Sequence, residues 1–155
     1  MRTRIIDKQE EIDDIISKCM FCYVGMVDEN NLPYVVPFNF GYKDGYIYLH
    51  SAKEGRKIDI MNNNPNVCVA FSTDQLLHSQ SEEVSCSYSM HYRSVLAFGK
   101  IEFIEDPVQK VEVLNIVMMH YTGRTFTYNS PSIREVKTYR VVVEKFTGKV
   151  FGYRN

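Results

Sequence analysis

Five residues at every second position, Tyr34, Val36, Phe38, Phe40 and Tyr42, set a row of aromatic and β-branched side chains along one face of an extended segment. Lys43-Asp44-Gly45 then supplies a turn, and Tyr46-Ile47-Tyr48-Leu49-His50 returns, so a β-hairpin is expected here. A period of two cannot cover one face of a helix, and this stretch commits the chain to a β-rich fold. Pro37 has no N–H to donate, which places it at an edge or a bulge, where a backbone group is freed for a ligand.

Around this hairpin the other elements follow from local signals. Asp7 with Glu10 forms a candidate capping box, and Ile12, Ile15, Ile16 and Cys19 recur at helical spacing. Met20 to Val27 reads as a buried strand. A short helix is expected from about Gly55 to Asn62, with Ile58 and Met61 on one face and Pro65 as its stop. Val67, Val69 and Phe71 alternate in a fourth strand, and Asp74 to Glu83 reads as a polar loop. Val84 to Ile104 reads as one long strand or two joined by a bend. Asp106-Pro107 opens a second long helix, with Gln109 as capping partner, Val111, Leu114, Met118 and Tyr121 as its apolar face, and Gly123 as its end. Tyr139, Val141 and Val143 mark a further strand, with Thr147-Gly148 as a turn into a last segment. Six or seven strands with three helices and no regular strand–helix alternation predict a small β-barrel with flanking helices, as a single domain over residues 1–155.

Charge and length exclude several classes of function. Eighteen Lys and Arg against nineteen Asp and Glu leave a net charge of −1, which argues against a nucleic-acid binder resting on a basic surface. No stretch free of charged residues is long enough for a membrane helix, and Asn30 to Tyr42, one of the longest, also holds two prolines. The N-terminus runs straight into charged residues without an apolar signal core, so a cytoplasmic location is expected.

Three strings could carry chemistry. In His50-Ser51-Ala52-Lys53-Glu54-Gly55-Arg56-Lys57 a strand ends, Gly55 permits a tight turn, and a helix starts with two cations. Free helix-start N–H groups, a hydroxyl and cations suit a phosphate, while a solvated polar turn fits the same residues. In Pro37-Phe38-Asn39-Phe40 the Asn lies opposite the aromatic face. It is either one exposed residue on a core strand or an amide able to match a flavin ring edge. The hydroxyl-rich Ser85 to Val95, with His91 and Arg93, fits a polar pocket or a half-exposed strand equally. Cys19 and Cys22 sit after a helix and at the start of a strand, the reverse of a redox pair, and neither the cysteines nor the four histidines have metal-ligand spacing. No protein nucleophile has an evident base, so a bound cofactor would have to carry any reaction.

Taken together, Tyr34-Val-Val-Pro-Phe-Asn-Phe-Gly-Tyr42, His50 to Lys57, Cys86-Ser-Tyr-Ser-Met-His-Tyr-Arg-Ser-Val95 with Gly99, and Glu105-Asp-Pro107 resemble the 5-nitroimidazole-resistance (Nim) family of the pyridoxamine-phosphate-oxidase-like split barrels. The resemblance implies a six-stranded split β-barrel of the FMN-binding type, forming a homodimer with flavin at the subunit interface. It places the flavin ring edge at Val36, Pro37, Phe38 and Asn39, and the phosphate at Ser51, Arg56 and Lys57. Tyr92, Arg93 and Ser94, from the same or the partner subunit, would border the same pocket, and His50 would be the catalytic proton donor or substrate contact. The implied activity is reduction of a nitroaromatic or other small acceptor by reduced nicotinamide, through FMN, with FAD as the other flavin. The alternative is a non-catalytic flavin- or haem-binding carrier or sensor, with His50 and His91 as the candidate haem ligands. The tail from Phe151 lacks the arginine-rich segment of true pyridoxamine-phosphate oxidases, which argues against vitamin B6 oxidation.

Overall fold

Three long strands, β6 (Asn66–His78), β7 (Ser89–Ile104) and β8 (Val136–Phe151), carry most of the architecture in the computed structural model, which describes residues 3–154. Met1, Arg2 and Asn155, which begin and end the terminal segments discussed above, lie outside the described residues. Ahead of these strands come β1 (Thr3–Ile6), α1 (Gln9–Ser17), β2 (Cys22–Val27), β3 (Pro33–Phe38), β4 (Gly41–Lys43), β5 (Tyr46–Ala52) and α2 (Arg56–Asn63). The helices α3 (Pro107–Thr122) and α4 (Ser130–Glu135) lie between β7 and β8. Among the described residues, no helix is long and apolar enough to cross a membrane.

The strands form one antiparallel sheet in the order β3-β2-β6-β7-β8-β5-β4, with β1 added on β8. β8 pairs with β7 from Thr138 to Phe151, while its other edge is shared, first by β5 and then by β1. That sharing curls the sheet into a barrel split along one side, with the six expected strands as β2, β3, β5, β6, β7 and β8 and two short additions, β1 and β4. Alternate residues fill the interior: Val24, Val69 and Ala97 lie abreast on β2, β6 and β7 and are fully buried. Phe40 packs edge-on against Phe71 at 5.0 Å between ring centroids, linking this core to His120 of α3 at 4.5 Å.

Several expectations are corrected. The row from Tyr34 to Tyr42 is not one strand: β3 pairs with β2, β4 pairs with β5, and Asn39-Phe40 crosses between them. Alternation survives the crossing, so it gives no sign of it. The true hairpin is β4–β5, turned at Asp44 and Gly45, both at positive φ. Pro37 does sit on an end strand, β3. The supposed loop from Asp74 begins as strand, because a bulge between Thr73 and Leu76 absorbs the polar residues and β6 runs on to His78. Thr147-Gly148 makes no turn, because Gly148 stays in β8 and admits Ile6 of β1, whose Cβ would lie 2.8 Å from any Cβ placed there.

Helix ends followed their local signals unevenly. Asp106 caps α3 by accepting from the Gln109 N–H at 3.0 Å, and Gly123 ends it in the left-handed region. Asp7 caps nothing. α1 starts after Lys8 without a side-chain cap, so Glu10 completes no capping box, and Glu11 pairs with Arg4 at 3.0 Å. α4 was not expected from the sequence. The buried face of α3 is Lys110, Val113 and Val117, rotated from the expected Val111–Leu114–Met118–Tyr121 stripe. Gly41 permits the close packing of this helix: a Cβ there would stand 2.7 Å from the Ile116 carbonyl carbon, so only glycine lets α3 lie this close on β4. The Gly41→Ala variant is therefore expected to lose about 2 kcal/mol of stability. At this chain length that lowers the midpoint by roughly 4–8 °C in a thermal melt. An unchanged melting temperature would contradict the close approach.

Candidate functional site

The end of β5 and the start of α2 bring one group of expected residues together. Alternation sends Leu49 and Ser51 to one side of β5 and His50 to the other, as their register partners Tyr139, Lys137 and Thr138 on β8 confirm. Ser51 Oγ donates to the Ala52 carbonyl at 2.9 Å and accepts from the Tyr139 hydroxyl at 3.0 Å. Tyr139 is fully buried, and burial pushes its phenol up to about 12. Phe38 lies edge-on to Tyr139 at 6.2 Å, and the Lys57 ammonium sits 4.9 Å from the Phe38 ring centroid. Arg56 lies over the Tyr34 ring at 4.8 Å and reaches Asp28 at 3.4 Å. That pair is largely solvated on the arginine side and holds it only weakly.

Backbone geometry adds donors. α2 has Gly55 as its N-cap, so no side chain covers the helix start, and a Cβ at Gly55 would meet nothing within 4 Å. The first helical N–H groups, those of Arg56 and Lys57, precede the intrahelical bonds, whereas Ile58 already donates to the Gly55 carbonyl at 3.1 Å. β3 ends the sheet path, so one edge of Val36, Pro37 and Phe38 is unpaired along that path, with exposed Asn39 just beyond.

His50 is half-buried, and its Nδ1 is buried without a hydrogen-bond partner. Burial and then the Lys57 charge hold its protonation below the ordinary histidine range, so the imidazole is neutral near pH 7. An orphaned ring nitrogen is costly unless a ligand meets it. A cationic helix start, an open strand edge and that nitrogen together fit a ligand with an anionic arm and a planar polar ring.

Tyr92, Arg93 and Ser94 do not join this group within one chain. On β7 the contact with Thr138, the partner of His50, is made by Ile104, so Ser94 lies up to roughly 33 Å away along the strand. Arg93 is occupied there: its Nη1 is 2.6 Å from Asp74, and its guanidinium lies 4.1 Å over the Tyr153 ring. Tyr92 stacks on Phe151 at 6.1 Å. Within one chain the residues expected around the pocket are therefore two sets at opposite ends of one ladder, and only the partner subunit's copy of one set could join the other. Tyr139 and Lys137 were missed in sequence, since only strand register brings them beside Ser51.

The remaining candidates carry less. A groove of about 660 Å³ opens between α3 and β4–β5, lined by Tyr42, Tyr48, Ile116 and Met119 among others. Two of its polar groups are spent on the fold: Asn115 holds the Phe126 backbone at both ends, and His120 Nε2 lies 2.8 Å from the Cys19 carbonyl. Cys19 and Cys22 are buried free thiols. Burial raises both, Cys19 to about 11, which leaves them unreactive. Among the described residues no three His, Cys, Asp or Glu side chains gather to hold a metal.

A helix-flanked split β-barrel with a cationic strand-to-helix turn at one end defines the class of protein. Residues 8–150 match the family model described as pyridoxamine 5'-phosphate oxidase, and the chain belongs to that family. A Bacteroides thetaiotaomicron protein described as a candidate 5-nitroimidazole antibiotic resistance protein is 44% identical, with 97% of this chain and 88% of that one covered and a TM-score of 0.87. An FAD and heme binding protein from Mycobacterium smegmatis shares the fold at 17% identity and a TM-score of 0.82, with 96% of this chain and 74% of that chain covered. A Mesorhizobium loti FAD-binding protein does so at 21% and 0.70, with coverage of 98% and 100%. Among curated proteins none matches.

The state of His50 is open to test. With its folded pKa below the unfolded value of about 6.5, the unfolded chain binds more protons in between, so stability rises with pH through that window. Acidification below about pH 6.5 is expected to destabilise the protein until the folded pKa is passed. In a proton NMR titration the His50 ring should titrate below the ordinary range, and Lys57→Met should move it part of the way back. A ring titrating at or above the ordinary value contradicts this site.

Proposed function

We propose that the chain is a flavin-binding oxidoreductase that reduces nitroaromatic or other small acceptors with electrons from a reduced nicotinamide. The observation that carries the reading is the grouping of the uncapped α2 start, the open β3 edge at Phe38 and the orphaned His50 nitrogen about the Lys57 ammonium. Flavin, when bound, supplies the two-electron chemistry that no side chain here can perform. FMN suits the site through one terminal phosphate, and FAD is the other flavin to compare.

In this reading Arg56, Lys57 and the α2 N–H groups hold the phosphate, with Ser51 beside them. Val36, Pro37, Phe38 and Asn39 meet the ring edge, the backbone through hydrogen bonds and Asn39 through its amide. His50 Nδ1 offers one hydrogen bond toward the ring or acceptor, and its neutral imidazole can take up or pass on a proton near pH 7. Tyr92, Arg93 and Ser94 reach such a site only from a second copy of the chain. The outer sheet face suits that copy, because Val35 of β3, Tyr23 of β2, and Leu96 and Phe98 of β7, across β6, are exposed.

A haem-binding carrier or sensor is the second reading, favoured by the buried, unpartnered Nε2 of His91. Crowding argues against axial ligation there. The His78 ring lies 4.8 Å away, and the Gly152 backbone is so close that a Cβ on it would strike the imidazole.

The Arg56→Ala, Lys57→Ala double variant is expected to weaken FMN binding about a hundredfold in a flavin-fluorescence titration, from two lost charged contacts. An unchanged affinity overturns the phosphate assignment. Sedimentation at micromolar concentration is expected to give twice the chain's mass; a monomer there contradicts the shared site.

A further inference from the structure

We propose that Lys137, at the start of β8, is a third cation of the phosphate subsite, parked on Glu105 until the anion takes that carboxylate's place. The proposal rests on the flavin-phosphate reading above. Lys137 stands directly opposite Ser51 in the β5–β8 ladder, so the two side chains share a face with Cβ atoms about 5 Å apart. The next pair on that face is Leu49 with Tyr139, whose hydroxyl donates to Ser51 Oγ at 3.0 Å.

Three rings link Lys137 to the cation already assigned. Phe38 meets Tyr139 edge-on at 6.2 Å, and Tyr139 meets Phe103 at 5.5 Å. Lys57 lies over the Phe38 ring at 4.9 Å and Lys137 over the Phe103 ring at 4.6 Å. Two ammonium groups thus flank one aromatic row, with Ser51 beside its centre.

Ser51 needs such a neighbour. Its proton goes to the Ala52 carbonyl, and its oxygen accepts from Tyr139, so the hydroxyl has no donor left for an anion. Lys137 has three N–H donors. It lies 2.6 Å from Glu105, with the lysine side chain 22% exposed and the carboxylate 60% exposed. A well-solvated carboxylate holds a cation weakly, whereas a phosphate in the half-covered site forms charge-assisted bonds with less competition from water. Glu105 therefore keeps Lys137 extended along Phe103 in the free protein and yields it to the ligand.

The test compares FMN with riboflavin, which lacks the phosphate, by fluorescence titration of the full chain. Wild type is expected to prefer FMN. Lys137→Met keeps the aliphatic stem over Phe103 and is expected to weaken FMN about ten-fold while leaving riboflavin unchanged. Lys137→Arg should recover most of the loss. Glu105→Gln should tighten FMN about three-fold, with no effect on riboflavin. Equal weakening of both flavins in Lys137→Met shows a packing role and overturns the proposal, as does no change in either. Where Lys137→Met does not fold by circular dichroism, Glu105→Gln decides, and an unchanged FMN affinity there overturns the proposal. A wild type that binds FMN no better than riboflavin instead removes the phosphate reading itself.

Discussion

β8 has two partners on one edge, and the rest of the molecule follows from that division. From Thr138 to its end it pairs with β7, but its opposite edge is held by β5 at the start and by β1 at the end. A strand that must satisfy two different neighbours in sequence is forced to bend and twist, and the sheet closes partly around the buried rows of Val, Ile and aromatic side chains. The β5 pairing also sets the chemistry. It puts Ser51 opposite Lys137, His50 opposite Thr138, and the buried Tyr139 where its hydroxyl reaches Ser51.

The site exploits what the barrel leaves unfinished. Backbone donors are left over at an end strand and at a helix start capped by glycine, and both lie near the charge of Lys57. The same charge and the same burial keep His50 neutral, so an uncharged, unpartnered nitrogen stands beside a cationic patch. The two features suit different parts of one ligand, a polar ring and an anionic arm. The Tyr92–Ser94 segment, at the far end of the ladder, has its own local employment in the Arg93–Asp74–Tyr153 cluster.

How much of this was legible in the sequence depended on how local each signal is. The ends of α3 were readable because Asp106, Pro107 and Gly123 act within one turn of the helix. The strand faces were readable because burial enforces a period of two. The switch from β3 to β4 was not, because Asn39 and Phe40 keep the alternation while the chain changes partners. A polar run from Asp74 looked like loop, yet ladder hydrogen bonds to β7 carried the strand through it with one bulge. In the candidate site, His50 to Lys57 were legible because they are contiguous. Lys137 and Tyr139 were not, since register across some ninety residues of chain is a long-range property that no short pattern encodes.

The central claim, that this barrel end is a flavin site, is tested most directly by the absorption spectrum of the purified protein, followed by denaturation and identification of what is released. The account predicts flavin bands at about 370 and 450 nm and release of FMN. A protein that is colourless and takes up no added flavin, or one showing a Soret band without flavin, would contradict it.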